Sequence, residues 1–185
     1  MTRFLFAMTL AAGAAMVYGA DAPQASMGKV LDGQLRSAER EIVSLAEAMP
    51  ADKYGFRPTA GEFKNVRSFS QQMTHIAAVL YAISAAALGE KNPSEMGKDE
   101  NGPASIDGKA AAVKYLKDAF ANAHKAALAV TSANAMDMLQ SPFGNEKSPR
   151  IDMVTELMWH SFDHYGQAVV YARMNSIVPP ASRGQ

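Results

Sequence analysis

MVTELMWHSFDHYGQAVVYA, running from Met153 to Ala172, decides the reading of this chain. Its apolar residues recur at helical spacing without a break, and His160 and His164 stand four residues apart within it. Four residues advance an α-helix by about 400°, a net turn of about 40°, so both imidazoles project from one face. A third histidine, His75, lies in a second helical stretch, SFSQQMTHIAAVLYAI. Two imidazoles on one helix and one from a neighbour are a natural way to hold a transition metal on three nitrogens. The chain has 4 histidines, and all but His124 enter this pattern.

Helical-wheel arithmetic places these side chains relative to the core. Taking His160 as origin, Met153, Leu157, His164, Ala168 and Tyr171 fall between about 20° and 80°. Val154, Tyr165, Met158, Val169 and Phe162 extend the apolar arc, while Gln167, Glu156, Asp163 and Trp159 lie on the other side of His160. On the earlier helix the core stripe is Phe69, Met73, Ile76, Leu80 and Ile83, and His75 lies about 100° from Ile76, beside Val79 and Gln72. All three histidines are therefore expected where packed core meets polar surface, the placement a cleft wall requires. His124 falls at the edge of a third apolar face, close to Lys117, where added positive charge is disfavoured. A structural or surface role is expected for it.

Outward from these stretches, the chain reads as four helices. Met27 to Met49 carries Val30, Leu31, Leu35, Ala38, Ile42 and Leu45 at helical spacing, and Pro50 closes it. The loop ADKYGFRPTAGEFKNVR follows. Ser68 then opens the second helix, with Gln71 placed to complete a capping box, and Gly89 ends it. GEKNPSEMGKDENGPAS reads as a solvated loop. A third helix is expected over about Asp107 to Val130. Thr131 to Pro149 reads as irregular, with one short turn around Ala135 to Leu139. The fourth helix is expected over about Arg150 to Asn175, before Val178-Pro179-Pro180 extends the chain. No stretch alternates with period two, so the expected class is all-α, a four-helix bundle.

Composition narrows the function classes. The 185 residues are 48% hydrophobic, enough for one domain with a real core. Lysine and arginine number 18 against 18 acids, with no basic cluster along any helix, so nucleic-acid binding has no electrostatic support. Cysteine is absent, which excludes disulfides, thiolate ligands and a cysteine nucleophile. Of the 12 methionines, Met73, Met153 and Met158 take apolar helical positions, and Met1, Met8 and Met16 lie in the opening segment. Core packing thus accounts for much of the methionine count, without copper handling.

That opening segment reads as a secretory signal peptide over residues 1–20. Arg3 is its early charge, Phe4 to Val17 is an apolar run, and Gly19, Ala20 and Ala22 offer small residues for cleavage. The run is shorter than the about 20 residues that span a bilayer, so no stable membrane anchor is expected after cleavage. Cleavage after Ala20 leaves residues 21–185 as the exported, periplasmic or secreted domain.

A helix, a loop reading YGFRP, a second helix bearing QQMTHIA and a last helix reading WHSFDHYGQAVVYARMNSIVPPAS together resemble the DinB/YfiT-like superfamily. The resemblance covers about residues 27–182. It implies a four-helix bundle, often a homodimer, that binds a divalent metal through three histidines, here His75, His160 and His164. Some members resemble thiol-dependent S-transferases and others metal-dependent hydrolases. Small thiols are mainly cytosolic, so export favours a hydrolase using a metal-activated water on a small-molecule substrate. A metal-dependent S-transferase and a non-catalytic metal- or ligand-binding module are the alternatives. Zn²⁺ or Ni²⁺ is the expected metal. Glu156, one turn before His160, is placed to act as a base, orient that imidazole or complete the coordination. Gln72, Asp163 and Gln167 are candidates to support the imidazoles from behind.

Overall fold

The computed structural model describes residues 26–184. The expected leader lies outside the described residues. Four long helices dominate: α1 (Met27–Ala48), α2 (Phe69–Leu88), α3 (Gly108–Leu128) and α4 (Arg150–Met174). α1 and α2 each pack against both α3 and α4, whereas α3 and α4 barely touch. Consecutive helices α1 and α2 therefore sit diagonally across the bundle, as do α3 and α4. Residues 49–68 and 129–149 cross these diagonals, while residues 89–107 join the neighbours α2 and α3. The all-helical core includes Leu35, Ile42, Met73, Ile76, Leu116, Phe120 and Met153, all essentially inaccessible. No helix among the described residues is long and apolar enough to cross a membrane.

Local chemistry sets the helix ends. Ser68 Oγ accepts from Gln71 N at 3.3 Å, and Ser68 N donates to Gln71 Oε1 at 2.9 Å, the reciprocal box expected at the start of α2. Gly89 ends α2 at φ 71°, a left-handed conformation that a side chain disfavours. The YGFRP loop serves as a second cap: Phe56 O accepts from Phe69 N and Tyr54 O from Ser70 N, each at 2.8 Å. Tyr54 itself is pinned to α1 through its hydroxyl, which donates to Ala46 O at 2.6 Å.

Two expectations need correction. The segment read as irregular holds an antiparallel hairpin, β1 (Met138–Gln140) with β2 (Lys147–Pro149), so the fold is mostly helical rather than purely so. Strands of 3 residues are too short to show a period-two pattern, which explains why the sequence conceals them. His75, expected at a border, is 3% exposed. The reason is that α2 is covered on nearly every side, so its wheel border lies inside the protein. His164 is likewise buried, and of the three only His160 reaches intermediate exposure.

His124 turns out to join helices. Its Nδ1 lies 2.7 Å from Asp32 Oδ1 and its Nε2 lies 3.0 Å from Glu39 Oε2, so one ring on α3 bridges two carboxylates on α1. At the same end of this helix pair, one turn further along, Gly28 lets α1 approach the last turn of α3. A Cβ there would lie 2.8 Å from Leu128 O and 2.9 Å from Val130 O, backbone atoms that cannot turn aside. Gly28→Ala should therefore destabilise the protein by about 1–3 kcal/mol. Gly33→Ala on the same helix meets nothing within 4 Å and should instead stabilise by about 0.5–1 kcal/mol. Urea midpoints of the two variants check this, and shifts of the same sign would contradict the close approach.

Candidate metal centre

α2 packs against α4, and that contact brings His75 opposite His160 and His164. Ring centroids are 5.1 Å apart for His75 and His160, 4.5 Å for His75 and His164, and 4.6 Å for His160 and His164. One nitrogen from each ring lies within 4.8 Å of the other two, the geometry of a group able to hold a metal ion. His160 Nε2 and His75 Nε2 are 3.2 Å apart. Nitrogens bound at about 2.0–2.1 Å to one tetrahedral ion sit about 3.3 Å from each other, so the spacing fits.

The outer nitrogens explain which atoms point inward. His75 Nδ1–H donates to the Glu100 backbone carbonyl at 2.8 Å. His164 Nδ1–H donates to Gln72 Oε1 at 2.7 Å. Both rings thus present an unprotonated Nε2 to the centre, the form a metal requires. The Gln72 amide is itself fixed, because its Nε2 donates to Gln167 Oε1 at 3.0 Å. Gln167 Nε2 donates in turn to Asp163 Oδ2 at 3.3 Å. His160 Nδ1 is buried without a hydrogen-bond partner among the described residues. With no partner to hold a proton on Nδ1, neutral His160 can carry it on Nε2 and donate to the unprotonated Nε2 of His75 at 3.2 Å, and a bound cation would replace that shared proton.

Electrostatics point the same way. Burial, followed by the neighbouring imidazoles and the Arg67 charge, lowers His160 to about 3. Burial, then His75, lowers His164 to about 4 against a smaller opposing pull from Asp163. His75 is also lowered by burial, against its bond to the Glu100 carbonyl. All three rings are neutral near pH 7, so none must lose a proton to bind a metal.

The carbonyl behind His75 comes from a strained turn. Asp99 and Glu100 take φ values of 53° and 58°, the left-handed region that non-glycine residues avoid at a cost of about 1–2 kcal/mol each. Arg67 clamps this turn, with Nε donating to Asn101 Oδ1 and Nη2 to Asp99 O, both at 2.8 Å. Tyr171 on α4 holds the backbone of Arg67, its hydroxyl donating to Arg67 O at 3.1 Å. The segment read as a solvated loop therefore covers His75 and fixes its ring. Glu100 could not have been found from sequence, since any residue carries a backbone carbonyl. Arg67, Asn101 and Tyr171 were missed because they act through a turn distant in the chain.

Of the residues singled out from the sequence, the three histidines, Gln72, Gln167 and Asp163 come together in one connected group. Glu156 does not join it. It makes no hydrogen bond to an imidazole among the described residues and falls outside the three-nitrogen cluster. Burial and then Asp152 raise its pKa above the usual carboxylate value.

Four helices closed around three converging imidazoles define a helical-bundle protein with a candidate metal centre. Residues 34–168 match the sequence profile of the DinB superfamily, and the chain belongs to that superfamily. Its fold is similar to that of a DinB-like protein from Bacillus subtilis, with a TM-score of 0.57 and 16% identity over 80% of this chain and 92% of that one. A DinB-like protein from Bacillus cereus ATCC 10987 is similar at a TM-score of 0.57 and 18% identity, over 80% and 95% of the two chains. No curated protein sequence matches.

Two outcomes follow. Arg67→Ala should weaken metal binding by about 10–100-fold while leaving the helical spectrum intact, because it frees the carbonyl that aligns His75. Unchanged affinity in a titration with Zn²⁺ would show that the turn does not position the ring. In the metal-free protein, the lowered imidazoles contribute stability that is fully present above the ordinary histidine value of 6.5. It is lost as the pH falls toward about 3 to 4, because the unfolded chain takes up protons first. Melting temperature should thus drop below about pH 6, and less steeply in a variant with His160 and His164 both changed to Gln. Parallel curves for the two proteins would contradict the assignment.

Proposed function

We propose that this DinB-superfamily protein is a metal-dependent hydrolase of a small-molecule substrate, with Zn²⁺ or Ni²⁺ held by His75, His160 and His164. The convergence of three neutral imidazoles, with no fourth His, Asp or Glu in the cluster among the described residues, is the observation that carries this reading. Structural zinc sites close their sphere with four protein ligands, whereas catalytic sites use three and keep a position open. A divalent ion in such a site acts as a Lewis acid and lowers the pKa of bound water from 15.7 to about 7. The chain's own contribution is to fix His75 and His164 through Glu100 O and Gln72, and to exclude bulk water by burial. Glu156, one turn before His160 on α4 and partly buried with a raised pKa, is the proposed proton acceptor.

Two further parts of the reading rest on other features. Residues 1–20 are proposed to direct export, which separates the protein from cytosolic thiols and disfavours the S-transferase alternative. A homodimer is proposed through the outer side of α4, where Trp159, Phe162, Val170 and Met174 are exposed at helical spacing. Trp159 also lies against His160, ring centroids 6.2 Å apart, so a partner on this face would border the centre.

The test is turnover of ester and amide substrates by protein recovered from outside the cytosol, which should begin at Asp21. Activity should vanish on chelation, return with Zn²⁺ or Ni²⁺, and fall by about 10²-fold or more in kcat for Glu156→Gln at unchanged metal content. Hydrolysis that survives chelation, or turnover only with an added thiol, would overturn the hydrolase reading. Metal binding without any turnover would favour the non-catalytic module.

A further inference from the structure

A cavity of about 440 Å³ shares Gln72 and Gln167 with the imidazole support and is lined also by Arg57, Arg67, Gln71 and Asn101. Its volume is that of a small-molecule site. The lining is almost wholly of hydrogen-bonding side chains, and its charges are unbalanced. Among the described arginines, Arg36 and Arg150 lie beside Asp32 and Asp137, whereas Arg40, Arg173 and Arg183 have no carboxylate within 4.0 Å. Neither Arg57 nor Arg67 has a carboxylate within 4.0 Å among the described residues. Asp99 is the cavity's one acidic residue, and it meets Arg67 through its backbone carbonyl.

Donors remain available on both guanidinium groups. Arg67 uses Nε and Nη2 on Asn101 and Asp99, and Arg57 makes one long bond, Nη2 to Gln71 Oε1 at 3.3 Å. A guanidinium carries five N–H groups, so each can still offer donors to a ligand. The nearby start of α2 cannot, because Phe69, Ser70, Gln71 and Gln72 have already donated their backbone N–H groups to Phe56 O, Tyr54 O, Ser68 Oγ and Ser68 O. Recognition here falls to side chains. Arg67 also carries its positive charge toward the centre, where it acts on all three imidazoles.

We propose that this cavity binds an oxyanion group, carboxylate or phosphate, of the substrate, with Arg57 and Arg67 as its ligands and the reacting bond directed toward the three imidazoles. The proposal rests on the hydrolase reading for its last part only. Oxyanions match the forked donor geometry of arginine, and the positive charges of the exposed Arg57 and the half-buried Arg67 disfavour a cation. The substrate class is therefore a small anionic ester or amide. Gln72 and Gln167 form the shared wall, so occupancy of the cavity and alignment of His164 are linked through one pair of amides.

The experiment is calorimetric titration of metal-free and Zn²⁺-loaded protein with succinate, inorganic phosphate and neutral succinamide, in wild type and Arg57→Gln. Succinate or phosphate should bind in both metal states, succinamide should bind at least tenfold more weakly, and Arg57→Gln should weaken the anion at least fivefold at unchanged zinc content. The preferred anion of the two identifies which oxyanion the cavity suits. Equal binding of succinamide overturns the proposal, as does anion binding that needs zinc and ignores Arg57→Gln, which would place the anion on the metal. Because the metal-free arm stands alone, anion binding in a protein that takes no zinc would refute the metal centre and leave the subsite. Zinc binding without anion binding would do the reverse.

Discussion

Two hydrogen bonds to carbonyl oxygen hold the centre of this protein together, one from His75 Nδ1 to Glu100 and one from His164 Nδ1 to Gln72. An imidazole buried in a helical bundle has two nitrogens to satisfy, and fixing the proton on Nδ1 commits Nε2 to accept. With both rings so committed, and His160 closing the triangle, three imidazoles converge in a place where burial keeps them neutral. The surrounding architecture is arranged to keep those two bonds. α2 against α4 supplies the opposition of the rings, α2 itself supplies Gln72 behind His164, and the long crossing from α2 to α3 supplies Glu100 behind His75.

Those crossings do more than connect helices. The segment before α2 caps that helix through Tyr54 and Phe56, then presents Arg67 to the 98–101 turn. Arg67 is thereby tied to α4 through Tyr171, to the strained turn through Asp99 and Asn101, and by its charge to the imidazoles. Backbone strain at Asp99 and Glu100 is sustained by these contacts, as strained residues near functional sites commonly are. On the far side of the bundle, His124 joins α1 to α3 through Asp32 and Glu39, a structural use of the same side chain that serves chemistry elsewhere.

What could be read from the sequence divides by range. The Ser68–Gln71 box, the Gly89 stop and the shared face of His160 and His164 depend on residues within one turn of each other, and all were legible. The four helices follow from periodicity, with ends displaced by one or two residues where non-helical caps such as Met49 and Asn175 take over. Meeting of α2 and α4 is a long-range event that spacing alone does not encode; the resemblance to a known superfamily supplied it, and the profile match bears that resemblance out. The Glu100 carbonyl, the three-residue strands and the carboxylate partners of His124 left no local signature. The exposure of His75 was misjudged because a wheel describes one helix, and burial is decided by what lies around it.

The claim on which everything else turns is that the three imidazoles hold a metal. Metal analysis of the purified protein after equilibration with Zn²⁺ or Ni²⁺ and removal of free ion tests it most directly. About one ion per chain is expected, lost in His164→Ala and retained in His124→Gln, a position on α3 away from the cluster. A folded wild type that holds no more metal than His164→Ala would contradict it.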